Sequence, residues 1–344
     1  MKRITLVFSL LAAIILWAGC AGENTQKNEE AETRTTGESG KLQALSEKIS
    51  RDSLNADLYN QRAQYHVVEK NVNKALSDIN KALELEEDNP EYYITLSDIY
   101  MLMGQGIKCE DALEKALKVD PDNLKASLKL GELNFILKDY QDAIKYLNQA
   151  IELDNTIATP YLIKGYSYLE GGDTSRAIKN FNVAIDKDPD NHDAFMQLAF
   201  IYNSRNIPLA KNYFENAIKV APASTEAYYG LAMYYQNNLE VDKALETYEN
   251  LIDIDPNHVR AYYNLGWLNL VYLENFESAR DYFSQVIELK SDYADAYYNR
   301  GYSNELMGDY AAARKDYKKT MDIHPNYEKA IEALNRLDRK QTIN

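Results

Sequence analysis

From Ala158 to Asn191 the apolar, small and polar positions fall in an order that fits two short helices back to back. Tyr161, Gly165 and Tyr168 recur at spacings of four and three, which puts them on one face of a first helix, and Ala177, Phe181 and Ala184 do the same for a second. Gly171, Gly172 and Asp173 break the period between them, and Pro189 ends the second helix because it has no N–H to continue it. Asn191 is a natural N-cap for the next helix. The small residues leave room for close helix approach and the rings fill the gaps around them. A single hairpin of this size has too little apolar surface to stand alone, so it must bury its outer faces on copies of itself.

Sliding this unit along the chain gives eight copies, 56–89, 90–123, 124–157, 158–191, 192–224, 225–258, 259–293 and 294–327. The lengths are 34 residues apart from one of 33 and one of 35, and both exceptions fall in the turn between the helices, where length changes cost least. Position eight is small every time: Ala63, Ser97, Gly131, Gly165, Ala199, Ala232, Gly266 and Gly301. A small residue also opens each second helix: Ala75, Cys109, Ala143, Ala177, Ala210, Ala244, Ala279 and Ala313. Cys109 thus occupies a packing slot. Leu113, Phe181, Phe214, Tyr248, Phe283 and Tyr317 recur as the large residue, and Pro121, Pro189, Pro222, Pro256 and Pro325 mark unit ends.

This pattern resembles the tetratricopeptide repeat family over Ala56 to Tyr327. The resemblance implies an all-α, right-handed α-solenoid (superhelix) of eight tandem helix-turn-helix repeats. Three positions depart from it: Arg62 and His66 stand in slots that are usually apolar or aromatic, and Asn155 replaces the expected proline. Residues 41–55, with Leu45 and Ile49 on one face, predict an N-terminal capping helix, and 328–344, with Ile331, Leu334 and Leu337 on one side, a C-terminal capping helix and tail.

Residues 1–20 carry a basic start at Lys2 and Arg3, an apolar run from Ile4 to Trp17 that is short for a membrane span, and small residues after it, as an export signal does. Its end, Ala18-Gly19-Cys20, resembles the lipobox of bacterial lipoproteins, with Trp17 where an aliphatic residue is usual. That resemblance implies acylation of Cys20 and a chain held in a bacterial cell envelope, on the outer membrane. Residues 21–40 hold no aromatic and no aliphatic side chain larger than alanine, so they read as a disordered tether with an end-to-end distance of about 25 Å. The formal net charge is -15, which disfavours nucleic acid and anionic lipid as partners and leaves the lipid as the membrane contact. Two cysteines, Cys20 and Cys109, make no disulfide framework.

The chain carries little that points to chemistry. Gly104-Gln105-Gly106 lies in a turn with no strand before it, the four histidines never fall at metal-ligand spacing, and Asp186 to Asp190 lacks the closing glutamate of a calcium loop. Neither an enzyme nor a cofactor is expected. The remaining candidate is the inner surface, which in the family is the concave groove where partner peptides bind. Positions nine run Gln64, Asp98, Glu132, Tyr166, Phe200, Met233, Trp267 and Tyr302; positions five run from Asn60 through Ile94, Leu128, Leu162 and Met196 to Tyr229, Tyr263 and Tyr298. Aromatic side chains are favoured at binding hot spots. They also pack between neighbouring first helices, and both readings stand here. Position two carries the acids Asp57, Glu91, Asp193, Glu226 and Asp295 against Lys125 and Arg260, which favours a partner with basic character. The expected function is a non-enzymatic scaffold binding a peptide or helical segment of a partner protein. The alternatives are a glycan-binding or cell-wall-fragment-binding lipoprotein and an accessory subunit of an envelope enzyme or secretion complex.

Overall fold

The computed structural model describes residues 40–341, with side chains through residue 339. The expected leader, the expected acylation site Cys20 and the expected tether before residue 40 lie outside the described residues. Eighteen helices and no strand occur among the described residues. After α1 (40–51) the first helices of the eight repeats are α2 (Ala56–Val68), α4 (Pro90–Leu102), α6 (Leu124–Ile136), α8 (Thr159–Glu170), α10 (His192–Ser204), α12 (Thr225–Asn237), α14 (Val259–Val271) and α16 (Ala294–Leu306). The second helices are α3 (Val72–Leu85), α5 (Gly106–Val119), α7 (Tyr140–Leu153), α9 (Thr174–Lys187), α11 (Leu209–Val220), α13 (Val241–Ile254), α15 (Phe276–Leu289) and α17 (Tyr310–Ile323), and α18 (Glu328–Gln341) closes the chain. None of the described helices is long and apolar enough to cross a membrane. The chain divides into two compact units between Leu133 and Asn134, within α6.

In unit 1 the buried residues Ala63, Ala75, Ile79, Ala82 and Tyr92 form the core where α2 and α3 meet α4, and α1 adds the buried Leu45 and Ile49. The leading helix is shorter than the pattern predicts, because Asn55 leaves it to cap α2, its side chain accepting from the Leu58 N–H at 3.4 Å. The two odd residues of the first repeat explain each other. Arg62 donates from Nε and Nη2 to the Asp78 carboxylate, both at 2.7 Å, and His66 is buried against the same carboxylate at 3.9 Å, where burial holds its pKa below the ordinary value.

In repeats 4, 7 and 8 the large residue of the second helix fits under a glycine of the first. A Cβ on Gly165 would stand 2.5 Å from the Phe181 ring, so only glycine lets α8 and α9 approach this closely. Gly230 meets Phe214 of the preceding repeat in the same way, at 2.3 Å, a contact that the sequence pattern did not reveal. Where Asn155 replaces the proline, Asp154 closes the turn instead, its carboxylate accepting from the Thr156 N–H at 2.8 Å and hydroxyl at 2.6 Å. At the end of the chain, Ala330, Ala333 and Leu337 of α18 bury against Tyr317. Arg336 forks onto the buried Glu305 at 2.8 and 2.7 Å, and Tyr317 donates its hydroxyl to the same carboxylate at 2.8 Å.

Each described turn between first and second helix holds one residue in the left-handed region. Glycine supplies it at Gly104, Gly172 and Gly308, but Lys70, Lys138, Asn206, Leu239 and Glu274 adopt it in the other repeats.

Candidate binding surface on the first helices

On a helix, positions two, five and nine share a face, so the first helices present these residues together. The structure leaves none of the second-unit candidates exposed, and each ring among them meets another aromatic side chain. Tyr166 is buried at 8% exposure, edge-on to Phe181 at 5.3 Å and 6.0 Å from Phe135, and burial pushes its hydroxyl pKa up. Its ring is core. The other seven candidates are half-buried. Phe200 meets Phe214 edge-on at 5.5 Å, and Trp267 meets Tyr272 likewise at 5.3 Å. Tyr298 and Tyr302 stack at 6.4 Å with their planes 7° apart. Met233 lies with Tyr229 around Asn264, whose amide donates 2.8 Å to the Tyr248 hydroxyl. Tyr263 stacks on Tyr293 at 5.2 Å and accepts from Asn299 at 3.0 Å; burial, then Asp295, lift its pKa to about 12.

In unit 1 position nine is polar, with Gln64, Asp98 and Glu132, while position five mixes Asn60 with the apolar Ile94 and Leu128. Asp98 pairs with Lys129 at 2.6 Å, and Gln64 donates to Thr95 at 3.2 Å. Burial holds the Glu132 carboxyl above its ordinary pKa, against the pull of Lys129.

Three of the five acids at position two are taken by the chain itself. Asp57 accepts from the Tyr92 hydroxyl at 2.7 Å, Asp295 from Tyr327 at 2.6 Å, and Glu91 from Lys125 at 2.9 Å. The acidic character offered to a partner is therefore narrower than the sequence suggests. It centres on Asp193 and Glu226, where burial raises the Glu226 pKa, His192 opposes the shift and Asp193 adds to it. The donors that occupy the other three acids stand 32 to 35 residues away, so no local pattern announces them.

Cys109 is buried and free, and burial pushes its thiol up to about 11, far from a reactive thiolate. Among the described residues no group of three or more His, Cys, Asp or Glu side chains is placed to hold a metal ion.

Sequence profiles described as "Tetratricopeptide repeat" match residues 90–123, 109–156, 161–191, 226–258, 259–293 and 294–327, together more than half of the chain. Human Tetratricopeptide repeat protein 13 is 29% identical over 133 residues, which cover 39% of this chain and 15% of that protein. Human Protein O-mannosyl-transferase TMTC3 is 23% identical over 170 residues, covering 48% of this chain and 19% of that protein. The chain thus spans only a small part of these relatives. The crystal structure of the C-terminal part of a TPR repeat-containing protein from Cytophaga hutchinsonii aligns with a TM-score of 0.51 at 18% identity, over 80% of this chain and 98% of that one, a likeness of fold alone. On its repeat pattern, its helical hairpins and these matches, the chain belongs to the tetratricopeptide repeat family, whose members generally serve as scaffolds for protein interaction.

Proposed function

We propose that the chain is a non-enzymatic scaffold whose inner wall in unit 2 holds an extended or helical segment of a partner protein bearing basic residues. One observation carries this reading: Phe200, Met233, Trp267 and Tyr302 at position nine, with Tyr229, Tyr263 and Tyr298 at position five, recur repeat after repeat on one helical face and stay half-exposed. Half-buried rings already fixed by neighbours offer contact area at little further entropic cost. Asp193 and Glu226 supply the charge that a lysine or arginine of the partner would meet. Trp267→Ala and Tyr302→Ala should each weaken partner binding by roughly 1–3 kcal/mol with the helical circular dichroism unchanged. Loss of helicity in either variant would make the rings core and remove the site.

Rings stacked in pairs, as Tyr298 and Tyr302 are, can also cover a sugar face. Titration with oligosaccharides and cell-wall fragments separates this reading, since saturable binding lost on Trp267→Ala would move the function to glycan recognition. We further propose that Cys20 is acylated and holds the chain at the bacterial envelope, on the outer membrane. Mass spectrometry of the N-terminal peptide tests this, and an unmodified Cys20 in the mature chain would refute it.

A further inference from the structure

Between consecutive second helices lies a slot bounded by three positions: the residue ten before a repeat begins, position seven of its first helix, and the residue three after the small residue that opens its second helix. In most repeats the chain fills this slot with its own side chain. In repeat 1, Arg62 forks onto Asp78, donates to Ser46 at 3.0 Å and lies 5.8 Å over the Tyr59 ring. In repeat 8, Arg300 repeats the arrangement with Asp316, Ser284 at 3.3 Å and Tyr297 at 5.4 Å. Lys164 of repeat 4 bonds Asn148 at 2.6 Å, its ammonium 6.0 Å over Tyr161. In repeats 5 and 7 a tyrosine from the second helix closes the slot, Tyr213 onto Asn182 at 3.3 Å and Tyr282 onto Glu249 at 3.5 Å.

Repeat 6 keeps the frame without the filler. Position seven is Leu231, and Thr247, standing where the neighbours have tyrosine, is too short to cross and turns its hydroxyl to the Lys243 carbonyl at 2.6 Å. What remains is a cleft of about 350 Å³ with Leu231, Tyr228, Tyr235 and Thr247 in its walls and Glu215 and Glu246 among its lining. Its size reaches the lower end of small-ligand sites, roughly 300 Å³ and upward. Glu215 is the counterpart of Ser46 and Ser284, and Tyr228 that of Tyr59 and Tyr297, the rings that lie under a guanidinium elsewhere in this chain. Lys243, also in the lining, is bound to Glu240 at 2.6 Å. The Tyr235 hydroxyl donates to Glu215 at 3.3 Å.

We propose that this cleft receives an arginine side chain from a partner protein, its guanidinium lying over Tyr228 and bonding Glu215 as Arg62 and Arg300 bond their own acceptors. A planar fork suits a carboxylate beside a ring better than a compact ammonium does. Positions four, seven and eleven face away from positions five and nine on the same helix, so the cleft is separate from the wall proposed above and neither depends on the other.

The test is fluorescence anisotropy of the full chain with a labelled, blocked Gly-Arg-Gly peptide and its citrulline counterpart. Saturable binding of the arginine peptide is expected, about tenfold weaker on Glu215→Gln. Thr247→Tyr, which copies the closure of repeats 5 and 7, should abolish it at an unchanged melting temperature, and so should Leu231→Arg, which copies repeats 1 and 8. Trp267→Ala should leave it unchanged. Binding that survives Glu215→Gln and both filled variants, binding lost on Trp267→Ala, equal affinity for citrulline, or no saturable binding would each overturn the proposal.

Discussion

The same hairpin is finished in two different ways in the two units. In unit 1 the inner positions carry ion pairs and an amide contact, Asp98 with Lys129, Glu91 with Lys125 and Gln64 with Thr95, beside the apolar Ile94 and Leu128. In unit 2 they carry rings that lean on the rings of the second helices. Position eight is Ala63 beside Ile79 in the first repeat, whereas Gly165, Gly266 and Gly301 admit Phe181, Phe283 and Tyr317. Ion pairs that reach solvent lose most of their Coulomb energy to water and salt, so these contacts of unit 1 satisfy their own charges without gaining much from it. A half-buried ring contributes to the core through one edge and keeps the other for a partner, so in unit 2 stability and recognition share side chains.

The comparison breaks most sharply at Tyr166. Tyr166→Ala should cost about 3–5 kcal/mol of unfolding free energy in urea melts, because a buried ring leaves a cavity, while the exposed Gln64→Ala at the same position of unit 1 should fall within about 0.5 kcal/mol. Equal losses would mean that the inner wall is built alike in both units. Gly165→Leu comes next: with Phe181 already 2.5 Å from where a Cβ would stand, overpacking should cost roughly 1–3 kcal/mol by thermal melting.

Glu226 sharpens the electrostatic half of the contrast. Its folded pKa lies above the ordinary carboxylate value, chiefly through burial. The charged form is therefore disfavoured in the folded chain, and stability is regained as pH falls through that raised value toward the ordinary one. A basic partner needs the charge. Binding should therefore weaken as pH falls through the same window, and Glu226→Gln should remove this pH dependence while leaving stability equal or slightly higher. A pH-independent affinity in the unmodified chain would detach Glu226 from the site. The smallest effect belongs to Lys125→Ala, which breaks an exposed pair with Glu91 and should shift stability by less than about 1 kcal/mol.

The repeats were legible in the sequence because their small and large residues recur within one hairpin, at spacings fixed by helix geometry. Contacts between hairpins were not. Gly230 against Phe214 and Tyr92 on Asp57 join residues of different repeats, and no local period encodes them. Arg62 and His66 break the pattern of the first repeat because both meet Asp78 on the next helix, a partner that the period does not mark. The aromatic ladder was legible as a list but not as a surface, since only the packing separates the sealed Tyr166 from the half-exposed Trp267 and Tyr302. The open slot of repeat 6 shows only when Thr247 is set beside Tyr213 and Tyr282.

The central claim, that the ring-bearing wall of unit 2 is where a partner sits, is tested most directly by photo-crosslinking in living cells. A photoreactive phenylalanine replaces Trp267 or Tyr302 on the wall, or the exposed Lys319 on a second helix, and the adducts are mapped by mass spectrometry. The account predicts the same protein adduct from both wall positions and none from position 319. Adducts at position 319 with neither wall position reacting would contradict it.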